Sequence, residues 1–244
     1  MTYCVGMLLD SGLVFLSDSR TNAGVDHIST FRKTFIFERE DRVLALMTSG
    51  NLAATQALVS VLRGRLTDET QPNLHSAANM FEAASVVGET LREVHQRDAA
   101  GLAAFNIEFN AALILGGQIK GEPPRLFMIY AAGNFIEATP ETTYFQVGES
   151  KYGKPIIDRV LKRDTSLEEA AKLALVSMDS TVKSNLSVGL PLDLTCIRAD
   201  ELKVALHESI DADNPYFASL RNRWSEALRT AFAALPDPDW LKGL

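Results

Sequence analysis

The chain opens Met1-Thr2-Tyr3, and Thr2 is where its most distinctive chemistry could begin. Methionine is commonly trimmed ahead of a small residue, which would leave Thr2 with a free α-amine. Nucleophile and base then share one residue. The hydroxyl attacks a carbonyl carbon while the amine takes its proton, directly or through a water. An α-amine titrates at about 8, close to an ordinary operating pH. Met-Thr is equally an unremarkable way to enter a strand, so the neighbours of Thr2 decide between the two.

Those neighbours are Asp18, Arg20 and Lys33. Residues 2–18 read as two strands joined at Asp10-Ser11-Gly12, with Gly12 suiting the left-handed last position of a three-residue loop. That loop pairs Leu9 with Leu13. Asp18 is then expected opposite Cys4, and Arg20 opposite Thr2, on one face. Lys33 is expected in the next strand, within Phe31-Arg32-Lys33-Thr34-Phe35. A lysine held by Asp18 beside Thr2 would bring positive charge to the amine, disfavour its protonated form and lower its pKa. The plainer reading is a local Asp18–Arg20 ion pair and a solvated Lys33. The residues alone leave both open.

Other chemistries lack support. His27, His75, His95 and His207 are scattered, with no HExxH and no Cys/His spacing suited to zinc. There is no GxxxxGK[ST], no GxGxxG after a strand and no GxSxG, so neither a metal nor a nucleotide cofactor is expected. With 24 basic residues against 31 acidic and no Lys/Arg run, the net charge of −7 argues against nucleic acid as partner. No apolar stretch approaches the ~20 residues of a membrane span, and no basic-then-apolar leader is visible. Cys4 and Cys196 form no CxxC pair and no disulfide framework, which fits a reducing cytoplasm. At 244 residues and 46% apolar, the chain suits one large domain or two small ones, with a core that needs no staples.

The elements that must position these residues follow from periodicity. A second strand pair is expected over roughly 28–38 and 42–47, then helices over 51–66 and 76–97. Strands return at Phe105–Leu115, where apolar and polar residues alternate, and at Arg125–Ala131 and Phe135–Ala138. Helices follow near 150–162 and 166–182, the second announced by a Ser166/Glu169 capping box. Strands near 192–198 and 202–207 come next. A helix then starts at Pro215, with Tyr216, Leu220, Trp224, Leu228 and Phe232 every fourth residue. That stripe is expected to lie on its own domain, with a contact between subunits as the alternative. Strand blocks separated by helix pairs exclude a parallel βαβ fold. Two antiparallel sheets between helix layers, an α+β arrangement, is the natural solution.

In order and spacing, Thr2, Ser17-Asp18-Ser19-Arg20, Lys33 and Thr48-Ser49-Gly50 resemble the N-terminal-threonine peptidases of the proteasome β-subunit and HslV type. The strings TYCVGMLLDSGLVFLSDSRTNAGVDHISTFRK and SNLSVGLPLDL are similar to that family's bacterial, ancestral β-subunit branch, and the resemblance runs roughly from Thr2 to His207. It implies a four-layer αββα sandwich of the N-terminal nucleophile hydrolase type. Residues 1–209 would be the β-subunit-like domain, with its mature start at Thr2, and 210–244 a linker and amphipathic helix. The resemblance also implies the site: Thr2 as nucleophile, Asp18 and Lys33 as the pair that tunes it, Gly50 N–H as oxyanion donor, and Ser187 as the serine that positions the amine. No cofactor is required. The implied partners are a peptide or amide substrate and further copies of the chain, in a ring or an open helical oligomer; an unfoldase or accessory enzyme has no sequence feature to identify it.

Two departures from the family pattern stand out. Ser184 occupies the position of an acid, with Asp179 nearby at another spacing, and Val147-Gly148-Glu149-Ser150 replaces a Gly-Ser-Gly segment. Two further readings follow: a catalytically silent or weak assembly subunit, and a narrow amidase for a small molecule or peptide tag.

Overall fold

Strands that carry no wet face must be covered on both sides, and the first hairpin is of this kind. The computed structural model describes residues 2–23, 27–68 and 70–241. Within it, β1 (Tyr3–Leu9) and β2 (Gly12–Asp18) are buried at every position. A half-solvated strand would alternate instead, because successive side chains point to opposite faces.

After this hairpin come a short ribbon, β3 (Arg20–Ala23) and β4 (His27–Thr30), and the pair β5 (Thr34–Arg39) and β6 (Arg42–Gly50). The helices α1 (Leu52–Gly64) and α2 (Met80–Ala104) follow, then β7 (Ala111–Ile119), β8 (Arg125–Ile129), β9 (Phe135–Glu137) and β10 (Tyr144–Gly148). The chain continues through α3 (Lys154–Val160), α4 (Leu167–Ser184), β11 (Leu192–Arg198), β12 (Val204–Ile210) and α5 (Pro215–Ala233). Two five-stranded antiparallel sheets result, ordered β10-β1-β2-β11-β12 and β5-β6-β7-β8-β9.

Apolar contacts define the layers. Between the sheets, Cys4, Leu8 and Phe15 meet Val43, Met47 and Ile114. On the other face of the first sheet, Tyr3, Val5 and Leu16 pack on Ile157 of α3 and on Ala174 and Met178 of α4. The second sheet turns Leu44, Leu46 and Leu115 outward, onto Leu58 and Leu62 of α1 and Val87 and Leu91 of α2. The expected four-layer α+β sandwich is the observed one. The Ser166/Glu169 capping box is also present in both directions. Among the described residues, no helix is long and apolar enough to cross a membrane.

Several expectations are corrected. The first hairpin turns on two residues, Asp10 and Ser11, so Leu9 pairs with Gly12 and Cys4 with Ser17. Neighbouring segments pin this turn: Asp10 N donates to Arg163 O, Ala199 N donates to Ser11 O, and Gly12 pairs with Arg198 as well as Leu9. A one-residue slip moves a strand's side chains to the opposite face. Asp18 accordingly lies beside Tyr3 rather than Cys4, and Arg20 pairs with Thr30 in the ribbon rather than with Thr2.

The single strand expected over 28–38 is broken at 31–33, which places Lys33 in a link rather than a strand. Phe105–Leu115 begins as a strand only at Ala111, because α2 continues to Ala104. Phe105 is 79% exposed, so its alternation with Asn106 does not mark a sheet face. The helix expected over 150–162 shortens to α3, and β10 appears where no strand was expected. α5 docks through Phe217 and Leu220, while Tyr216, Leu228 and Phe232 of the anticipated stripe are exposed.

Candidate active site

One end of the sandwich collects the termini of four strands. β1 begins there with Thr2 before it, β2 ends there at Asp18, β6 ends at Thr48-Ser49-Gly50, and β10 ends at Gly148. The link into β5 passes the same place with Lys33. A cleft of about 270 Å³ opens between them, lined by Thr2, Arg32, Lys33, Ser49, Gly50 and Gln56, among others.

Asp18 lies behind this wall, fully buried. Its Oδ1 accepts from Lys33 Nζ at 2.6 Å and from Tyr3 N at 2.9 Å, and its Oδ2 accepts from Gly189 N at 3.3 Å. Lys33 is 5% exposed and makes a second bond, 2.7 Å, to Arg20 O. The plainer reading of these residues is therefore overturned: Lys33, not Arg20, is the partner of Asp18. Arg20 Nη1 donates to Leu186 O instead. Burial pushes the Asp18 carboxyl up from its usual range, while the Lys33 charge and the two backbone N–H groups pull against it.

Gly50 closes β6 with φ +111, a conformation that L side chains rarely adopt. A Cβ there would lie 2.1 Å from Asn110 O. The bend lets β6 finish against β7 while Gly50 remains exposed at the cleft. Opposite, Gly148 runs so close to the chain start that a Cβ on it would lie 2.1 Å from Thr2 O.

Cys4 is the nearest sulfur nucleophile in sequence, but it faces the space between the sheets. Its Sγ is 3.8 Å from Thr48 O, and burial pushes its thiol far above the ordinary range. A thiolate is the reactive form, so Cys4 is inert as placed. Among the described residues, no three His, Cys, Asp or Glu side chains gather as a metal site.

Of the residues singled out from sequence, Thr2, Lys33 and Gly50 share the cleft wall, and Asp18 holds Lys33 from behind. Ser187 is not on that wall. It sits half-buried in the turn between α4 and β11, the same turn that sends Gly189 N to Asp18. Ser184 and Ser150 are exposed, and Asp179 is turned away to Arg221 of α5, 2.7 Å distant. Met1 lies outside the described residues.

Two residues that sequence reasoning did not assign are Glu149 and Asn185. Glu149 is 6% exposed, and its N donates to Thr2 O at 2.6 Å. Its carboxylate takes Lys151 N at 2.9 Å and Asn185 Nδ2 at 2.8 Å. Burial raises this carboxyl's pKa, but those donors, Ser150 N–H and the Lys151 charge outweigh it and hold the group below its usual range. The signal was the alternation of Phe145 and Val147 ahead of Gly148-Glu149, a strand ending in an acid.

The proteasome subunit family model matches residues 2–193. The proteasome subunit beta of Haloquadratum walsbyi is 25% identical over 215 residues, covering 86% of this chain and 79% of that protein. Proteasome subunit beta 2 of Pyrobaculum calidifontis is 28% identical over 211 residues, covering 82% and 93%. Among solved structures, Anbu (ancestral beta-subunit) from Yersinia bercovieri superposes with TM-score 0.92 at 55% identity, covering 97% of this chain and 99% of that one. The helical assembly of the Anbu complex from Pseudomonas aeruginosa matches with TM-score 0.92 at 48% identity, covering 97% and 98%.

Proposed function

This chain belongs to the proteasome subunit family, alongside its Anbu-type β-subunits, and from that premise we propose that it is an N-terminal-threonine amide hydrolase acting on peptides. The observation that carries this reading is that Thr2, Lys33 and Gly50 line one cleft while Asp18 anchors Lys33.

Once Met1 is removed, Thr2 Oγ1 attacks the scissile carbonyl carbon and its proton passes to the α-amine. The Lys33 ammonium, fixed by Asp18 and Arg20 O, disfavours protonation of that amine and eases the negative charge building on Oγ1. Gly50 N–H serves the tetrahedral oxyanion, a role typically worth about 3 kcal/mol. The C–N bond then breaks, the leaving amine takes the proton from the α-ammonium, and an ester on Oγ1 remains. Water, deprotonated by the α-amine, cleaves that ester and restores the hydroxyl.

Intact mass of the natively expressed protein tests the first requirement, loss of one methionine. A peptide electrophile directed at N-terminal threonine tests the second, a gain in mass on Thr2. Thr2→Ala should abolish hydrolysis and labelling while preserving fold and assembly. Hydrolysis retained in that variant, with contaminants excluded, sinks the mechanism.

The reading includes self-association into a ring or an open helical oligomer, supported by the helical assembly of the Pseudomonas aeruginosa neighbour. It also includes a cytoplasmic setting, which the two unpaired cysteines favour. A silent assembly subunit is the second reading, favoured by Ser184 where the family pattern has an acid. An unreactive, free Thr2 would move it to the front. A narrow amidase is separated from a peptidase by a panel of short peptides, all of which it would leave uncut.

A further inference from the structure

A buried carboxylate beside the chain start needs a reason, because burying a charge is costly unless polar partners meet it. Those of Glu149 connect into a ring. Glu149 N reaches Thr2 O, and Glu149 Oε2 accepts from Asn185 Nδ2. Asn185 Oδ1 accepts from Ser187 N at 3.0 Å. Two residues on, Gly189 N reaches Asp18 Oδ2, and Asp18 Oδ1 accepts from Tyr3 N, the amide next to Thr2. Starting from Thr2, this network returns to Thr2.

We propose that Glu149 is a positioning residue for Thr2, acting through Asn185 on the turn that carries Ser187 and Gly189. The proposal rests on Thr2 being the nucleophile. The polarity of the ring makes it specific to a carboxylate. Ser187 N–H is a donor, so Asn185 must present its oxygen there and its NH2 toward position 149. Lys151 N–H is a second donor to the same side chain. The two donors meet different oxygens of Glu149, and a carboxylate offers an acceptor at both places. Glutamine, equal in size, would turn its own NH2 against one of them. A buried donor left unmatched typically costs more than a hydrogen bond contributes.

The same polarity supplies the test. Glu149→Gln and Asn185→Asp each break the ring, by a donor–donor and an acceptor–acceptor clash respectively. The double variant E149Q/N185D restores every bond with the charge moved. The amide NH2 now at position 149 donates to the carboxylate now at position 185. The other oxygen of that carboxylate still accepts from Ser187 N, and the amide oxygen at position 149 keeps Lys151 N. Acylation of Thr2 by a threonine-directed peptide electrophile is followed by intact mass, separating maximal rate from apparent affinity. Melting temperature and oligomer size are measured alongside.

Each single variant should lose about tenfold or more in maximal rate, with affinity unchanged, as expected from one unmatched buried group. The double variant should return to within about threefold of wild type. Single variants as fast as wild type overturn the inference, and so does a folded double variant no faster than the singles. If the singles fail to fold, the double variant alone decides by the same criterion. A wild type that takes up no label overturns the reading of Thr2 as nucleophile, and the inference with it.

Discussion

Lys33 Nζ lies 2.6 Å from Asp18 Oδ1, and neither side chain has meaningful access to water. Removing one partner of a buried pair leaves an uncompensated charge and typically costs about 3–5 kcal/mol. Lys33→Ala should therefore lose stability of that order together with all Thr2 acylation, so activity alone cannot assign its role. The double replacement D18N/K33M should regain part of the stability, seen in chemical denaturation, and none of the acylation. Recovery of both would make the pair a structural feature only.

Gly50→Ala should harm both chemistry and stability. A side chain at φ +111 costs about 1–3 kcal/mol in backbone strain, and this one would also meet Asn110 O. Relief by backbone movement would shift the N–H proposed as oxyanion donor. The expected outcome is a lower midpoint in denaturant and a fall in kcat with KM nearly unchanged. An unchanged kcat would remove Gly50 from the mechanism.

Glu149 gives the stability a pH dependence of defined sign. Its folded carboxyl is held below 4.5, so the folded state binds that proton less readily than the unfolded chain does. The contribution is complete above pH 4.5 and is lost as pH falls through the lower, folded value. Wild type should thus exceed Glu149→Gln in stability at neutral pH, and the gap should narrow below pH 4.5. Asp18, raised in the folded state, has the opposite slope and is common to both proteins, so their difference isolates Glu149. A gap that is constant with pH would contradict the assignment.

Phe217 is the principal anchor of α5, 2% exposed against the α4 side, with Arg221 paired to Asp179 beside it. A buried Phe→Ala change removes about 3–5 kcal/mol of packing. Because α5 is the last α-helix among the described residues, that loss should appear as local release rather than global unfolding. Limited proteolysis around 211–215 should accelerate in Phe217→Ala while the melting temperature of the sandwich moves little.

Much of this architecture was legible in the sequence because periodicity survives burial. Leu58 and Leu62, or Val87 and Leu91, repeat at helical spacing because one face meets a sheet. Thr2, Lys33 and Gly50 were legible as a motif, and they do share a cleft. The hairpin register was not, since Arg163 and Ala199 hold the Asp10-Ser11 turn from segments remote in sequence. Phe105 and Ile107 misled because alternation only marks a strand where something covers one face, and both are exposed. The Glu149–Asn185 contact joins residues 36 apart, through two helices, with no spacing rule to connect them.

Chain ends usually fray, but Thr2 leads directly into a strand that is held on both sides. β1 is laced to β10 on one side and β2 on the other from its first residues onward. Loosening Thr2 means unzipping an interior strand of the first sheet. The amides of Tyr3 and Cys4 should be among the slowest in the molecule to exchange with deuterium, and heat should extinguish the reactivity proposed for Thr2 in the same cooperative step that melts the sandwich.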